Sequence, residues 1–165
     1  MQKYTSKNTS INTISKIYTQ MEFLENSVIL DYGCGKYNTS IEYMKHKDCI
    51  VLPFDKYNRT ELENNNTLQY VSNYDLDYIV CSNVLNVIYE EDIIKNIIKD
   101  IYNYSKKNTI IYISIFEGNK SGIGKVTTKG YQRNEKYKEY LKYLEPYFDI
   151  TIKKQIFICK RKENI

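Results

Sequence analysis

Short apolar runs alternate along the chain with stretches in which apolar residues recur every third or fourth position. Residues 10–22 set Ile11, Ile14, Ile17, Tyr18 and Met21 at helical spacing, which predicts an N-terminal helix. Val28-Ile29-Leu30 reads as a buried strand stopped by Asp31-Tyr32-Gly33-Cys34-Gly35. A short helix through Ile41 and Met44 follows, with Thr39 or Ser40 as its cap. Ile50-Val51-Leu52-Pro53-Phe54 is the second strand, and Pro53 is expected to break it near its end. Asn64-Asn65-Asn66 predicts a loop, Leu68 to Val71 a third strand, and Tyr78-Ile79-Val80-Cys81 a fourth. Residues 90–105 give the clearest helix: acids at 90–92 suit its N-terminus, Lys106 and Lys107 its C-terminus, and Ile93, Ile94, Ile97, Ile98 and Ile101 one apolar face. Ile110 to Phe116 is a fifth strand. Residues 118–133 read as a Gly/Lys/Thr loop, Asn134 to Leu144 as a helix, and 150–152 with 156–158 as a closing strand pair.

Strand–helix alternation of this kind predicts an α/β fold with a mostly parallel sheet covered on both faces. Ligands in such folds bind beyond the carboxyl ends of the strands, so the residues just after each strand carry the functional interest. At 165 residues the chain is read as one domain: an N-terminal helical segment (1–26), a core (27–117), the 118–133 loop, and a C-terminal helix and strand pair (134–165).

Composition adds exclusions. No stretch approaches ~20 apolar residues and the N-terminus is polar, so neither a membrane span nor a secretory signal is expected. Cys34, Cys49, Cys81 and Cys159 form no CxxC, and His46 is the lone histidine. Reduced thiols in a cytoplasmic protein, and no metal site, are the expectation. The 18 tyrosines, with no Trp and no Ala, read as coding bias of an AT-rich genome. The net charge of +4 is uneven: residues 1–118 carry 12 basic and 15 acidic groups, residues 119–165 carry 12 and 5. That basic C-terminal third can attract an anionic partner, or its lysines can merely solvate the surface.

The first strand end is the informative one. Asp31-Tyr32-Gly33-Cys34-Gly35 lies between a buried strand and a helix, where glycines let the backbone turn sharply and a ligand approach without meeting a Cβ. Asp55, 20 residues after Gly35, ends the next strand, and a carboxylate there can accept the hydroxyl protons of a ribose. Together these describe a nucleoside site. A dinucleotide fingerprint would need glycine at 38, which is Asn38, so an NAD-dependent oxidoreductase is disfavoured.

These residues resemble the class I S-adenosylmethionine-dependent methyltransferases. Val28 to Gly35 is similar to that family's first motif, and Asp55 to the acid after its second strand. The resemblance implies a Rossmann-like, mostly parallel seven-stranded sheet with one antiparallel strand near the C-terminus. It also implies S-adenosylmethionine as cofactor, with Asp31, Gly33, Cys34 and Gly35 facing its methionine part and Asp55, with Lys56, at its ribose. A narrower resemblance is to the methyltransferases associated with DNA phosphorothioation systems. It rests on Val80-Cys81-Ser82-Asn83-Val84-Leu85-Asn86-Val87-Ile88 and on Gly122-Ile123-Gly124-Lys125-Val126-Thr127-Thr128-Lys129-Gly130-Tyr131-Gln132, one residue shorter than that group's pattern before Gln132. The N-terminal Thr/Ser/Lys stretch is similar to the same group's segment before the first motif.

Methyl transfer from a sulfonium is an in-line displacement for which alignment and exclusion of water matter most. Ser82, Asn83 and Asn86, after the fourth strand, are the candidates to orient an acceptor, with Asn83 also near the cofactor. His46 stands away from the strand-end rim. The 118–133 segment holds Lys120, Lys125, Lys129 and Arg133 and no acid; Lys125, Lys129, Gln132 and Arg133 are the candidates for an anionic acceptor such as nucleic acid or a nucleotide. The alternative is a non-catalytic S-adenosylmethionine-binding regulator or subunit. The sequence leaves the acceptor and the oligomeric state open.

Overall fold

The computed structural model describes residues 10–163; the Thr/Ser/Lys stretch before residue 10 lies outside the described residues. The described residues form eight strands: β1 (Val28–Tyr32), β2 (Ile50–Phe54), β3 (Tyr78–Ser82), β4 (Ile110–Ser114), β5 (Lys125–Thr127), β6 (Gly130–Gln132), β7 (Phe148–Lys153) and β8 (Ile156–Arg161). Six of them form one sheet in the order β2-β1-β3-β4-β8-β7. β2, β1, β3 and β4 are parallel, and β8 enters antiparallel to both β4 and β7, so it is the one reversed strand.

Strand side chains alternate between two cores, as the pleat requires. Leu30, Ile79, Cys81, Ile111, Ile113 and Phe157 face α3 (Glu61–Asn73), α4 (Glu91–Tyr104) and α5 (Leu141–Leu144). Ile29, Val51, Tyr78, Val80, Tyr112 and Ile156 face α1 (Lys16–Gln20) and α2 (Thr39–Lys45). The result is an α/β sandwich whose parallel strand ends share one rim.

The third strand expected at 68–71 is helical, and the sheet has six strands rather than seven. Thr60 caps α3 by accepting the Glu63 N–H at 3.1 Å, which starts a helix that runs through the whole Asn-rich stretch. Asn64 is no loop residue. Its Oδ1 accepts the Asp55 N–H and its Nδ2 donates to the Asp55 carbonyl, both at 3.0 Å, so α3 is bound to the end of β2. β2 is therefore an edge strand. That is why Pro53 does not break it: the strand continues in register to Phe54, since an edge position tolerates the missing N–H.

Three further expectations are revised. The first helix begins only at Lys16, because Ser15 caps it by accepting the Ile17 N–H at 3.1 Å, and Ile11 is exposed. The 118–133 segment is not a plain loop, since β5 and β6 pair within it as a hairpin. The helix expected at 134–144 is a 3-10 turn, Tyr137–Tyr140, leading into one turn of α5.

Thr67 is buried in α3, and its hydroxyl donates to the Pro53 carbonyl at 2.6 Å, satisfying an edge-strand acceptor. Thr67→Val keeps the shape and removes that donor. Stability in a urea titration should fall by about 1–2 kcal/mol.

Candidate functional site

β1 and β2 end side by side, and the chain leaving β1 turns at once. The N–H groups of Gly33 and Cys34 both donate to the Phe54 carbonyl, at 2.7 and 3.2 Å. Gly33 and Gly35 have φ of +80° and +74°, conformations that a side chain strains. A Cβ at Gly33 would also stand 2.5 Å from Val84 Cγ2, just beyond β3. Glycine here answers both a backbone and a packing constraint.

Asp55 closes the turn. Its Oδ2 accepts the Gly35 N–H at 2.8 Å, while its Oδ1 accepts the Tyr57 and Asn58 N–H groups at 3.0 Å and Asn58 Nδ2 at 3.1 Å. One oxygen is fully engaged; the other retains acceptor capacity. Arg59, which the sequence reading passed over, braces the same loop. Its guanidinium donates to the carbonyls of Gly35 and Tyr37 at 2.8 and 2.7 Å and to Asn38 Oδ1 at 2.6 Å.

Asp31 is buried on the α1 side and accepts the Tyr18 hydroxyl at 2.8 Å. Burial raises its carboxyl to about 6, against the lowering effects of Tyr18 and Arg59. Burial likewise pushes the Cys34 thiol up to about 12, so it stays protonated and is not an activated nucleophile.

At the ends of β3 and β4 the sequence candidates separate. Asn83 is exposed with φ +56°; its N–H donates to the Ser114 carbonyl at 3.0 Å and its Oδ1 accepts the Ser114 hydroxyl at 3.3 Å. Among the described residues its amide NH2 has no protein partner. Ser82 shares hydrogen bonds with Ser15 at 2.6 Å and Ser114 at 3.2 Å. Asn86 is buried and structural: Nδ2 donates to Gln132 Oε1 at 3.1 Å, and Oδ1 accepts the Phe116 N–H at 3.4 Å. Gln132 Nε2 returns to the Phe116 carbonyl at 3.1 Å. These bonds fasten the β5–β6 hairpin to the rim as a flap.

Arg133 fastens it further and is not on the cavity wall. It is buried, donating to the Ile88 and Tyr89 carbonyls at 3.0 and 3.1 Å and pairing with Glu135 at 3.0 Å. Lys125 is exposed and also outside the cavity lining, whereas Lys129 at the flap tip borders the cavity.

The cavity holds ≈ 1190 Å³. It gathers Asp31, Gly33, Cys34, Gly35, Asp55, Lys56, Ser82, Asn83, Asn86, Lys129 and Gln132 in one lining. Two further walls were not assigned to the site by the sequence pattern. One is the segment 10–16, laid over the glycine loop: Ser10 Oγ accepts the Lys36 N–H at 3.1 Å, and Asn12 bonds the Thr39 hydroxyl. The other is one face of α4. Among the described residues no cluster of His, Cys, Asp or Glu could hold a metal ion, and no helix is long and apolar enough to cross a membrane.

Asp31 gives a pH test. Between about pH 4 and 6 its carboxyl holds a proton in the native chain and has lost it in the unfolded one. The stability it contributes is complete below 3.8 and is lost as pH rises through about 6, a loss on the order of 3 kcal/mol. Asp31→Asn keeps an acceptor for Tyr18 and should flatten this fall in thermal melts across pH 4–7.

No family model matches the sequence, and no curated protein is significantly similar to it. Solved structures are similar in fold. A TehB-like S-adenosylmethionine-dependent methyltransferase from Corynebacterium glutamicum matches with a TM-score of 0.56 at 15% identity, over 88% of this chain and 85% of that one. Human N-acetylserotonin methyltransferase, in complex with S-adenosylmethionine, matches with 0.55 at 14% identity over 83% of this chain and 48% of its own, so the chain spans about half of it. The sugar N-methyltransferase KedS8 from Streptoalloteichus matches with 0.54 at 10% identity, over 83% and 81%. What the chain shares with them is the architecture, a Rossmann-like methyltransferase fold; in this chain the sheet has its reversed strand near the C-terminal end.

Proposed function

We propose that the protein binds S-adenosylmethionine in this cavity and transfers its methyl group to an acceptor. One observation carries the reading: a positive-φ glycine loop is tied by Asp55 to the end of the neighbouring strand, inside a methyltransferase fold. When bound, the cofactor supplies a methyl group already activated on a sulfonium. Gly33 and Gly35 leave room for its amino-acid part, and Asp31, partly neutral near pH 6, stands close enough to that loop to meet an ammonium. The free acceptor capacity of Asp55 Oδ2 suits a ribose hydroxyl. Asn83 offers its unpartnered amide NH2 at the end of β3, next to Ser82, and is the residue we assign to orienting the acceptor. The segment 10–16 and the flap exclude water from the cavity. Proximity and alignment then do the chemistry, without a strong base.

The acceptor we favour is anionic, nucleic acid or a nucleotide. Lys129 on the flap, with Lys16 and Lys56, lines the cavity, and Lys125 extends the basic surface outward. Arg133 is left to hold the flap. The sequence resemblance to methyltransferases of DNA phosphorothioation systems points to the same acceptor class. A binding subunit without turnover is the competing reading; release of S-adenosylhomocysteine in the presence of mixed DNA and RNA separates the two.

Two measurements test these assignments. In calorimetry the wild-type chain should bind S-adenosylhomocysteine and not NAD, and Asp55→Ala should weaken the former roughly tenfold or more, as loss of a charge-assisted hydrogen bond requires. Equal affinities would remove Asp55 from the site. For the acceptor, binding to short DNA and RNA across a salt series should fall steeply with salt. The double change Lys125→Ala/Lys129→Ala should flatten the slope by about one to two units. An unchanged slope would favour a neutral acceptor.

A further inference from the structure

β7 lies at the end of the sheet opposite β2, and among the described residues no strand pairs with its outer edge. The turn to β8 sets which backbone groups face that way. Lys154 and Gln155, with φ of +53° and +60°, form a two-residue hairpin loop of the kind that matches strand twist. Such a loop makes its flanking residues, Lys153 and Ile156, a hydrogen-bonded pair. The pattern repeats at every second residue. Lys153, Thr151 and Asp149 therefore turn their N–H and C=O toward β8, and so does Tyr147, whose carbonyl accepts the Lys162 N–H at 2.9 Å. Ile150 and Ile152 turn theirs outward. The register runs unbroken from Phe148 to Lys153, with no bulge and no proline to blunt the edge.

The side chains add a symmetry. Asp149, Thr151 and Lys153 are exposed and share one face of the strand. Among the described residues neither the Asp149 carboxylate nor the Lys153 ammonium has a partner within the chain. Ile150 and Ile152 share the other face, and Ile152 is 41% exposed. Around Thr151 the strand thus carries an isoleucine one step away on each side and opposite charges two steps away.

We infer that β7 pairs with β7 of a second copy of this chain, antiparallel and centred on Thr151. The inference is independent of the cofactor reading. In this register Asp149 faces the partner's Lys153, Ile150 faces the partner's Ile152, and Thr151 faces the partner's Thr151. The isoleucines carry the outward N–H and C=O groups, so theirs are the pairs that exchange backbone hydrogen bonds. Asp149 and Lys153 fall at the pairs between, where opposed side chains stand closest and opposite charges attract. Centring the pairing on Ile150 or Ile152 instead breaks both ion pairs, so charge selects the register. The contact is isologous and closes at two copies, because it consumes the edge that makes it. A two-fold axis through Thr151, perpendicular to the sheet, reverses every strand of the second copy. β7 runs parallel to β4, so the two cavities open at opposite ends of the joined sheet. A single strand pair buries less than a standard interface, and the association is expected to be weak, on the order of micromolar or weaker.

The test is analytical ultracentrifugation over a concentration series, on the wild-type chain, on Asp149→Lys and on Lys153→Asp. The wild type should pass from monomer to dimer and no further. Either single change opposes like charges at both ion pairs and should weaken dimerisation about tenfold. An equimolar mixture of the two variants restores both pairs and should dimerise about as tightly as the wild type. Thermal melts check that each variant folds. Amide exchange needs no variant: exchange at Ile150 and Ile152 should slow as the wild type is concentrated, while Thr151 and Lys153, already bonded to β8, should not respond. A wild type that stays monomeric at millimolar concentration overturns the inference. So does growth beyond a dimer, a dimer indifferent to both single changes, a mixture no tighter than its components, or a dimer that leaves the Ile150 and Ile152 amides unprotected.

Discussion

Four hydrogen-bond donors converge on the Asp55 carboxylate, and the rim is organised around them. β2 has a sheet partner on one side only, so nothing in the sheet itself fixes the direction in which its end leaves. The carboxylate supplies that constraint. It holds the chain that follows β2 through Tyr57 and Asn58 and the chain that follows β1 through Gly35. Asn64 then anchors α3 to the same residue's backbone, and Arg59 braces the glycine loop from outside. A strand end, a turn and a helix thus depend on one charged side chain.

The elements with one dominant signal were legible in the sequence. The buried strands β1, β3 and β4 were, as was α4, whose isoleucines recur at helical spacing. The glycine loop and Asp55 were legible because turn chemistry and strand-end position are local properties. Leu68 to Val71 was not, because a short apolar run suits a strand and a helix equally. The deciding signal stood eight residues upstream: Thr60 and Glu63 have the spacing of a capping box, and Thr60 does cap α3. The part that Asn86, Gln132 and Arg133 play in fastening the flap was not legible for another reason. Several of their partners lie 30 to 46 positions away in sequence, and no local pattern distinguishes a polar residue that fastens a flap from one that meets a ligand. The same holds for Ser10, Asn12 and Ser15, which read as the start of a helix and instead reach across to the rim.

The cavity has two covers, and both are attached mainly through side chains, the flap with one backbone bond from the Arg133 N–H to the Asn86 carbonyl at 2.9 Å. The 10–16 segment is held by hydroxyl and amide groups, and the flap by Asn86, Gln132 and Arg133. Neither cover shares a sheet with the parallel core. Segments attached in this way open at a lower free energy than the strands beneath them. A site with a rigid floor and separable covers can exchange ligands without disturbing the glycine loop, whose geometry depends on the sheet.

The place of β8 has a consequence for how the molecule is made. It is the latest strand of the sheet in chain order, yet it lies between β4 and β7. Until it has left the ribosome, β4 presents an open edge with Ile111 and Ile113 beside it, and β7 has no neighbour at all. The parallel half of the fold can assemble during synthesis, but its hydrophobic layer closes only when residues 156–161 slide into the gap. The nascent chain therefore exposes an unpaired apolar edge until translation has passed β8, and that interval is when it most needs protection from aggregation.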